Sequence, residues 1–207
     1  MTSKILSGAW QPKKSSSAID RHNGAAATLA GDFGAVTDAP LILFLLLLGV
    51  LTVVLHASFH WPLQLPGHHG LEVMALMVFG RGLTKRPWAA TAVAAGAGVA
   101  TLIPVLAPND LSAGWQYLLI GIVVDGLFRA GAPWRHNALF LAAIAALAHA
   151  AKPFSKWLLF QSVDLHFGSL RDGLLIPLSS HLAFGFVGGL IGALMAIATQ
   201  RALTNRH

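Results

Sequence analysis

Cysteine is absent from the 207 residues, which excludes disulfides, thiolate metal ligands, c-type haem attachment and thiol catalysis. Charge is scarce too. Only 11% of the residues are Asp, Glu, Lys or Arg, against about 25% in soluble chains, and the single glutamate is Glu72. The sequence contains no G-x-S-x-G elbow, no phosphate-binding glycine loop and no acidic cluster suited to magnesium. The chain is therefore not expected to be an enzyme.

What is present is apolar. Hydrophobic residues make up 55% of the chain and the mean hydropathy is +0.65, the composition of a multi-span membrane protein. The length suits one small bundle, at roughly 100–200 residues per domain. The net charge of +6 would suit nucleic acid in a soluble protein. In a membrane protein, cytoplasmic Lys and Arg produce the same balance, so the bilayer is the expected surroundings and no nucleic-acid partner is expected.

Residues 1–39 hold Lys4, Lys13, Lys14, Arg21 and a run of three serines without a sustained apolar period. They read as a flexible cytoplasmic tail, not as a signal peptide, whose apolar core lies close to the initiating methionine. Six apolar runs follow: Pro40 to His60, Gly70 to Leu83, Trp88 to Leu106, Gly114 to Phe128, Asn137 to Ala151 and Leu174 to Thr199. The first is long enough for a span of about 20 residues; the second, fourth and fifth are short and need their loop ends to extend them. Lys152 to Gly173 reads as too polar to cross, with a surface or re-entrant piece at Trp157–Phe160. The expected fold is an all-α, six-span transmembrane bundle over residues 40–200, with a short cytoplasmic terminus at 201–207.

Orientation follows from Lys and Arg in the short loops. Arg81, Lys85 and Arg86 follow the second run, Arg129 and Arg135 the fourth, and Arg201 and Arg206 the last. The segments Trp61 to His69 and Ala107 to Ala113 carry none; only the loop with Lys152, Lys156 and Arg171 breaks the pattern. Both termini are expected in the cytoplasm. Trp61, Trp88, Trp115, Trp134 and Trp157 fall at span ends, where an amphipathic ring sits best.

With that topology, seven of the ten histidines fall at or near the outer end: His56, His60, His68, His69, His149, His166 and His181. Glu72 is there as well. Ionisable groups near apolar helix ends are expensive unless they serve a purpose. His56 and His60 share a helix face at four-residue spacing, and Glu72 lies one turn beyond His68 and His69. A carboxylate one turn from an imidazole can share a metal with it or orient its ring. The spacing matches no zinc or di-iron signature. Three readings stay open: rings that cap helix ends and line a polar mouth, a site for a polar organic ligand, or a divalent-metal site. A haem held by two of His56, His149 and His181 is a fourth.

Asp125 is an acid inside the fourth run, with Arg129 at i+4 as its expected ion-pair partner; a coupling or partner-docking role is the alternative. Gly185, Gly188, Gly189 and Gly192 give the last run a smooth face, and Gly96 and Gly98 give the third a matching one. Such faces let helices approach closely, within the chain or, at Gly185, Gly189 and Gly192, against a partner subunit.

The stretches GWQYLLIGIVVDGLF (Gly114 to Phe128), SHLAFGFVGGLIGALMA (Ser180 to Ala196) and QLPGHHGLEVMALMVFGRGL (Gln64 to Leu83) resemble the fourth helix, the last helix and the gating first loop with second helix of the substrate-binding S components of energy-coupling-factor transporters. The likeness covers about residues 40–200 in general pattern. It implies an S-component-like bundle in a bacterial inner membrane that captures a small polar molecule or metal ion from outside, working with a membrane scaffold and paired ATPases. The chain departs from many members in lacking an A-x-x-x-A pair in its Leu-rich first span. It departs from the nickel and cobalt relatives in having Thr2 where they place a histidine.

The leading expectation is a substrate-capture subunit of an importer. His68, His69 and Glu72 would line the outer site, and His60, His149 and His181 come next. A non-catalytic accessory subunit of a larger membrane complex is the alternative, and a haem- or metal-binding membrane oxidoreductase the third.

Overall fold

The computed structural model describes residues 38–58, 65–106, 113–134, 136–163, 170 and 173–205. The expected tail at residues 1–37 lies outside them. Among the described residues the principal elements are six helices: α1 (Ala39–Ser58), α2 (Gly70–Leu83), α3 (Ala89–Ala100), α4 (Ala113–Ala130), α5 (Ala138–Val163) and α6 (Leu175–Thr204). A single 3-10 turn, Ala132–Trp134, lies between α4 and α5.

The boundaries follow from local chemistry. Pro40 sits in the first turn of α1, where a missing N–H costs nothing. Gly67, at φ +82°, turns the chain into α2, and its carbonyl accepts the Gly70 N–H at 2.8 Å. α3 stops at Ala100, short of the expected Leu106. Pro104 has no N–H to offer the Ala100 carbonyl four residues back, and that carbonyl accepts from the Ile103 N–H at 3.1 Å in a tighter turn instead. Asn137 caps α5, its Oδ1 accepting from the N–H groups of Leu139 at 2.9 Å and Phe140 at 3.2 Å.

α5 corrects the expectation for the loop after it. The helix runs through Pro153 and carries Trp157–Phe160 on to Val163, where the sequence suggested that the fifth run ends at Ala151. One proline removes one hydrogen bond and bends a helix; it does not end one whose next turns still have side chains to pack.

Three helices, α1, α5 and α6, are long and apolar enough to cross a membrane. α2 has 14 residues and α3 has 12. α2 lies at the centre, packed on α3, α4, α5 and α6, with Val73, Met74, Met77 and Val78 all but sealed from solvent. The outer helices have the opposite character. Leu43, Leu47 and Leu51 of α1, Leu147 of α5 and Val187 and Leu194 of α6 point outward. An apolar exterior of this extent is a surface for lipid rather than for water.

The α6 glycines form two stripes used inside the chain. A Cβ on Gly185 or Gly189 would run into Ala145 and its neighbours on α5, and one on Gly188 or Gly192 into the backbone carbonyls of Leu71 and Ala75 on α2. Of the two readings of Gly185, Gly189 and Gly192, internal packing is the one seen, since all three are buried between α6 and its own neighbours. Gly96 and Gly98 of α3 do not meet α6. Gly96 lies on the Leu46 carbonyl of α1, and Gly98 faces Gly114 of α4. The expected pairing fails because α2 stands between α3 and α6.

Gly192→Ala is expected to cost about 1–3 kcal/mol, the usual range for forced overpacking. Gly126→Ala, with nothing within 4 Å of the added carbon, should be neutral or stabilise by up to about 1 kcal/mol through helix propensity. Thermal unfolding in detergent separates them, and equal midpoints for the two variants would refute the close α2–α6 contact.

Candidate functional site

The turn between α1 and α2 gathers the histidines. α1 brings His56 from its last turn, and the Gly67–Gly70 turn presents His68 and His69. Glu72 stands on the first turn of α2, which fixes its carboxylate toward the end of α1. One donor atom from each of His56, His69 and Glu72 lies within 4.8 Å of the others. The His56 and His69 rings meet edge to face at 3.7 Å between centroids, and His68 lies at 3.7 Å from His69. His56 Nδ1 is 4.0 Å from Glu72 Oε2, too far for a hydrogen bond. Among the described residues, Glu72 Oε2 and His69 Nδ1 are buried side-chain atoms with no hydrogen-bond partner. Burial, reinforced by the neighbouring His56 ring, pushes the His69 imidazole down to about 3. It is therefore neutral at physiological pH, the form whose lone pair can bind a cation.

A second pair adjoins the first. His149 of α5 and His181 of α6 stack at 4.6 Å between centroids, with 27° between their planes. Gly67 and Gly70 lie directly against these rings: a Cβ on Gly67 would meet His181, and one on Gly70 would meet His149. The Gly67 carbonyl accepts from His149 Nε2 at 3.3 Å, the Pro177 carbonyl from His181 Nδ1 at 2.7 Å and the Leu65 carbonyl from His68 Nδ1 at 2.8 Å. A carbonyl can only accept, so these bonds place the proton on the named nitrogen. In the neutral ring the other nitrogen then carries the lone pair.

Of the expected site residues, His68, His69, Glu72, His149 and His181 come together around one turn. His60 lies outside the described residues. His56, which is not among the expected substrate-site residues, stands beside Glu72. The close packing of Gly67 and Gly70 on His181 and His149 has no signal in the sequence, because those rings come from helices far along the chain.

Asp125 belongs to a different structure. Its carboxylate is 3.0 Å from Arg81 Nε of α2, and it accepts from the N–H groups of Ala90 at 3.1 Å and Thr91 at 2.8 Å and from the Thr91 hydroxyl at 2.7 Å. The expected local pair with Arg129 is replaced because α3 begins beside Asp125. The carboxylate caps that helix, whose first N–H groups lack partners of their own. Asp125 is buried, and the bonds its carboxylate makes here are all within the chain.

The fold and the cluster define an all-helical, membrane-associated protein with imidazoles and one carboxylate gathered at one end of its bundle. No protein-family model, no curated protein and no solved structure matches the chain.

Proposed function

We propose that the chain is a six-span integral membrane protein that captures a divalent transition-metal ion at its outer face, as the substrate-binding subunit of an importer. The observation that carries this reading is the set of three donors from His56, His69 and Glu72 within 4.8 Å of one another. Bonds of about 2.0–2.1 Å to a tetrahedral ion set its ligands about 3.4 Å apart, so modest closure around the ion completes the shell. Two imidazoles and one carboxylate suit zinc, nickel or cobalt better than magnesium or calcium, which prefer all-oxygen sites. Three ligands leave coordination positions open, and His56 remains about a third exposed. Both features suit an ion that is taken up and passed on.

The sidedness of the proposal rests on charge. Arg81, Lys85 and Arg129 border one cavity at the opposite end of the bundle from the histidine cluster, and basic ends belong in the cytoplasm. α2, α3 and α4 would complete six spans with the help of their flanking turns. The glycine faces that would have served an accessory role are occupied within the chain, which favours capture. The His149 and His181 rings stack on each other and leave no room for a haem plane between them, so this pair gives no support to a bis-histidine haem.

Purified protein is expected to bind one nickel, cobalt or zinc ion per chain and to ignore magnesium, as read by titration calorimetry and elemental analysis. Absence of binding for all three ions would sink the metal reading. Co-purification with ATPase subunits tests the importer assignment separately.

A further inference from the structure

The other end of the bundle holds a cavity of about 350 Å³, between the ends of α2, α4, α5 and α6. Its wall is divided by chemistry. Phe128, Leu141 and Ile197 line an apolar side, while Arg81, Lys85 and Arg129 supply cations; no carboxylate is among the described residues lining it. Arg81 is already committed: Asp125 balances its charge, its Nη1 donates to the Thr84 carbonyl at 3.0 Å, and its guanidinium stacks over the Phe128 ring at 4.8 Å. Lys85 and Arg129 are exposed and have no such acid in the cavity wall. The opening therefore has a net positive rim above an apolar wall, on a protein whose outer helices face lipid.

An anionic group carried on an apolar body fits both halves at once. We propose that this cavity binds the phosphate of an anionic phospholipid, with Lys85 and Arg129 on the phosphate oxygens and the Phe128, Leu141 and Ile197 side against the glycerol and upper acyl chain. Basic pockets between helix ends on the cytoplasmic side are suited to such headgroups. A soluble phosphate compound would share the charge contacts and gain nothing from the apolar wall. The α2 helix separates this site from the histidine cluster by roughly 20 Å, at 1.5 Å per residue, so the inference stands without the metal reading.

The test uses the full chain in nanodiscs of phosphatidylcholine doped with phosphatidylglycerol, with retained lipid read by native mass spectrometry. Wild type is expected to keep phosphatidylglycerol in clear preference. K85Q/R129Q should lose that preference by about fivefold per cation removed, and K85Q/R129K, which keeps one cation, should retain part of it. An unchanged preference in K85Q/R129Q would overturn the proposal. So would displacement of the lipid by millimolar inorganic phosphate, which would assign the cavity to a soluble anion.

Discussion

Asp125→Ala is expected to destabilise the fold by about 3–5 kcal/mol, the cost of removing one partner from a buried ion pair. For a chain of this size that is a fall on the order of 10 °C in unfolding midpoint. Three losses act together. The Arg81 guanidinium keeps its burial and loses its countercharge, the Ala90 and Thr91 N–H groups lose their acceptor at the start of α3, and the Thr91 hydroxyl loses its partner. Asp125→Asn retains the shape and some of the hydrogen bonds, so its cost should be intermediate. Arg129→Ala, which removes the arginine one turn away, should stay within about 0.5 kcal/mol as an ordinary surface change. A thermal series on the three variants decides the matter: if Arg129→Ala costs as much as Asp125→Ala, the local pair governs after all. Exchanging Asp125 and Arg81 together for leucine should cost less than the sum of the single exchanges, because no charge is left alone.

The second large effect is expected at the histidine end. Glu72→Gln keeps the size of the side chain and removes the one carboxyl group of the cluster. Loss of partners that merely orient a ligand costs about 10–100-fold in metal affinity, so loss of a donor itself should reach at least about 100-fold. The double variant His69→Ala, Glu72→Ala leaves one imidazole and should bind no ion measurably. His207→Ala removes a histidine from the carboxyl-terminal segment and should leave binding intact. Titration with nickel and with zinc reads all three; wild-type affinity in the double variant would end the assignment of these residues. Unfolding midpoints run alongside separate loss of the site from loss of the fold.

The helices were legible because apolar runs are long and prolines punctuate them. Pro40 opens α1, and the Lys85-Arg86-Pro87 turn parts α2 from α3. What misled was local context. Lys152 and Lys156 suggested a surface loop, but long cationic stems can lie along apolar surface while their charge reaches polar surroundings, and α5 continues beneath them. Arg129 suggested itself for Asp125 because it is four residues away, whereas Arg81 is 44 positions distant and only packing brings it near. The histidine end was legible for a global reason: charge asymmetry between the loops sorted the helix ends before any contact was known. Which rings approach Glu72 was not legible, since His56 and His60 share a face and nothing in sequence says how far α1 slides along α2.

Pro153 gives the site a mechanical property. It stands four residues beyond His149 within α5, so the His149 carbonyl has no N–H above it to close the turn. α5 therefore lacks one backbone hydrogen bond beside the stacked imidazoles. The segment carrying Ala142 and Ala145 is packed against the α6 glycines, so the helix loses its bond at the edge of that contact and not inside it. A turn that lacks a backbone bond is where a helix bends first, so any bending of α5 is expected to fall beside His149.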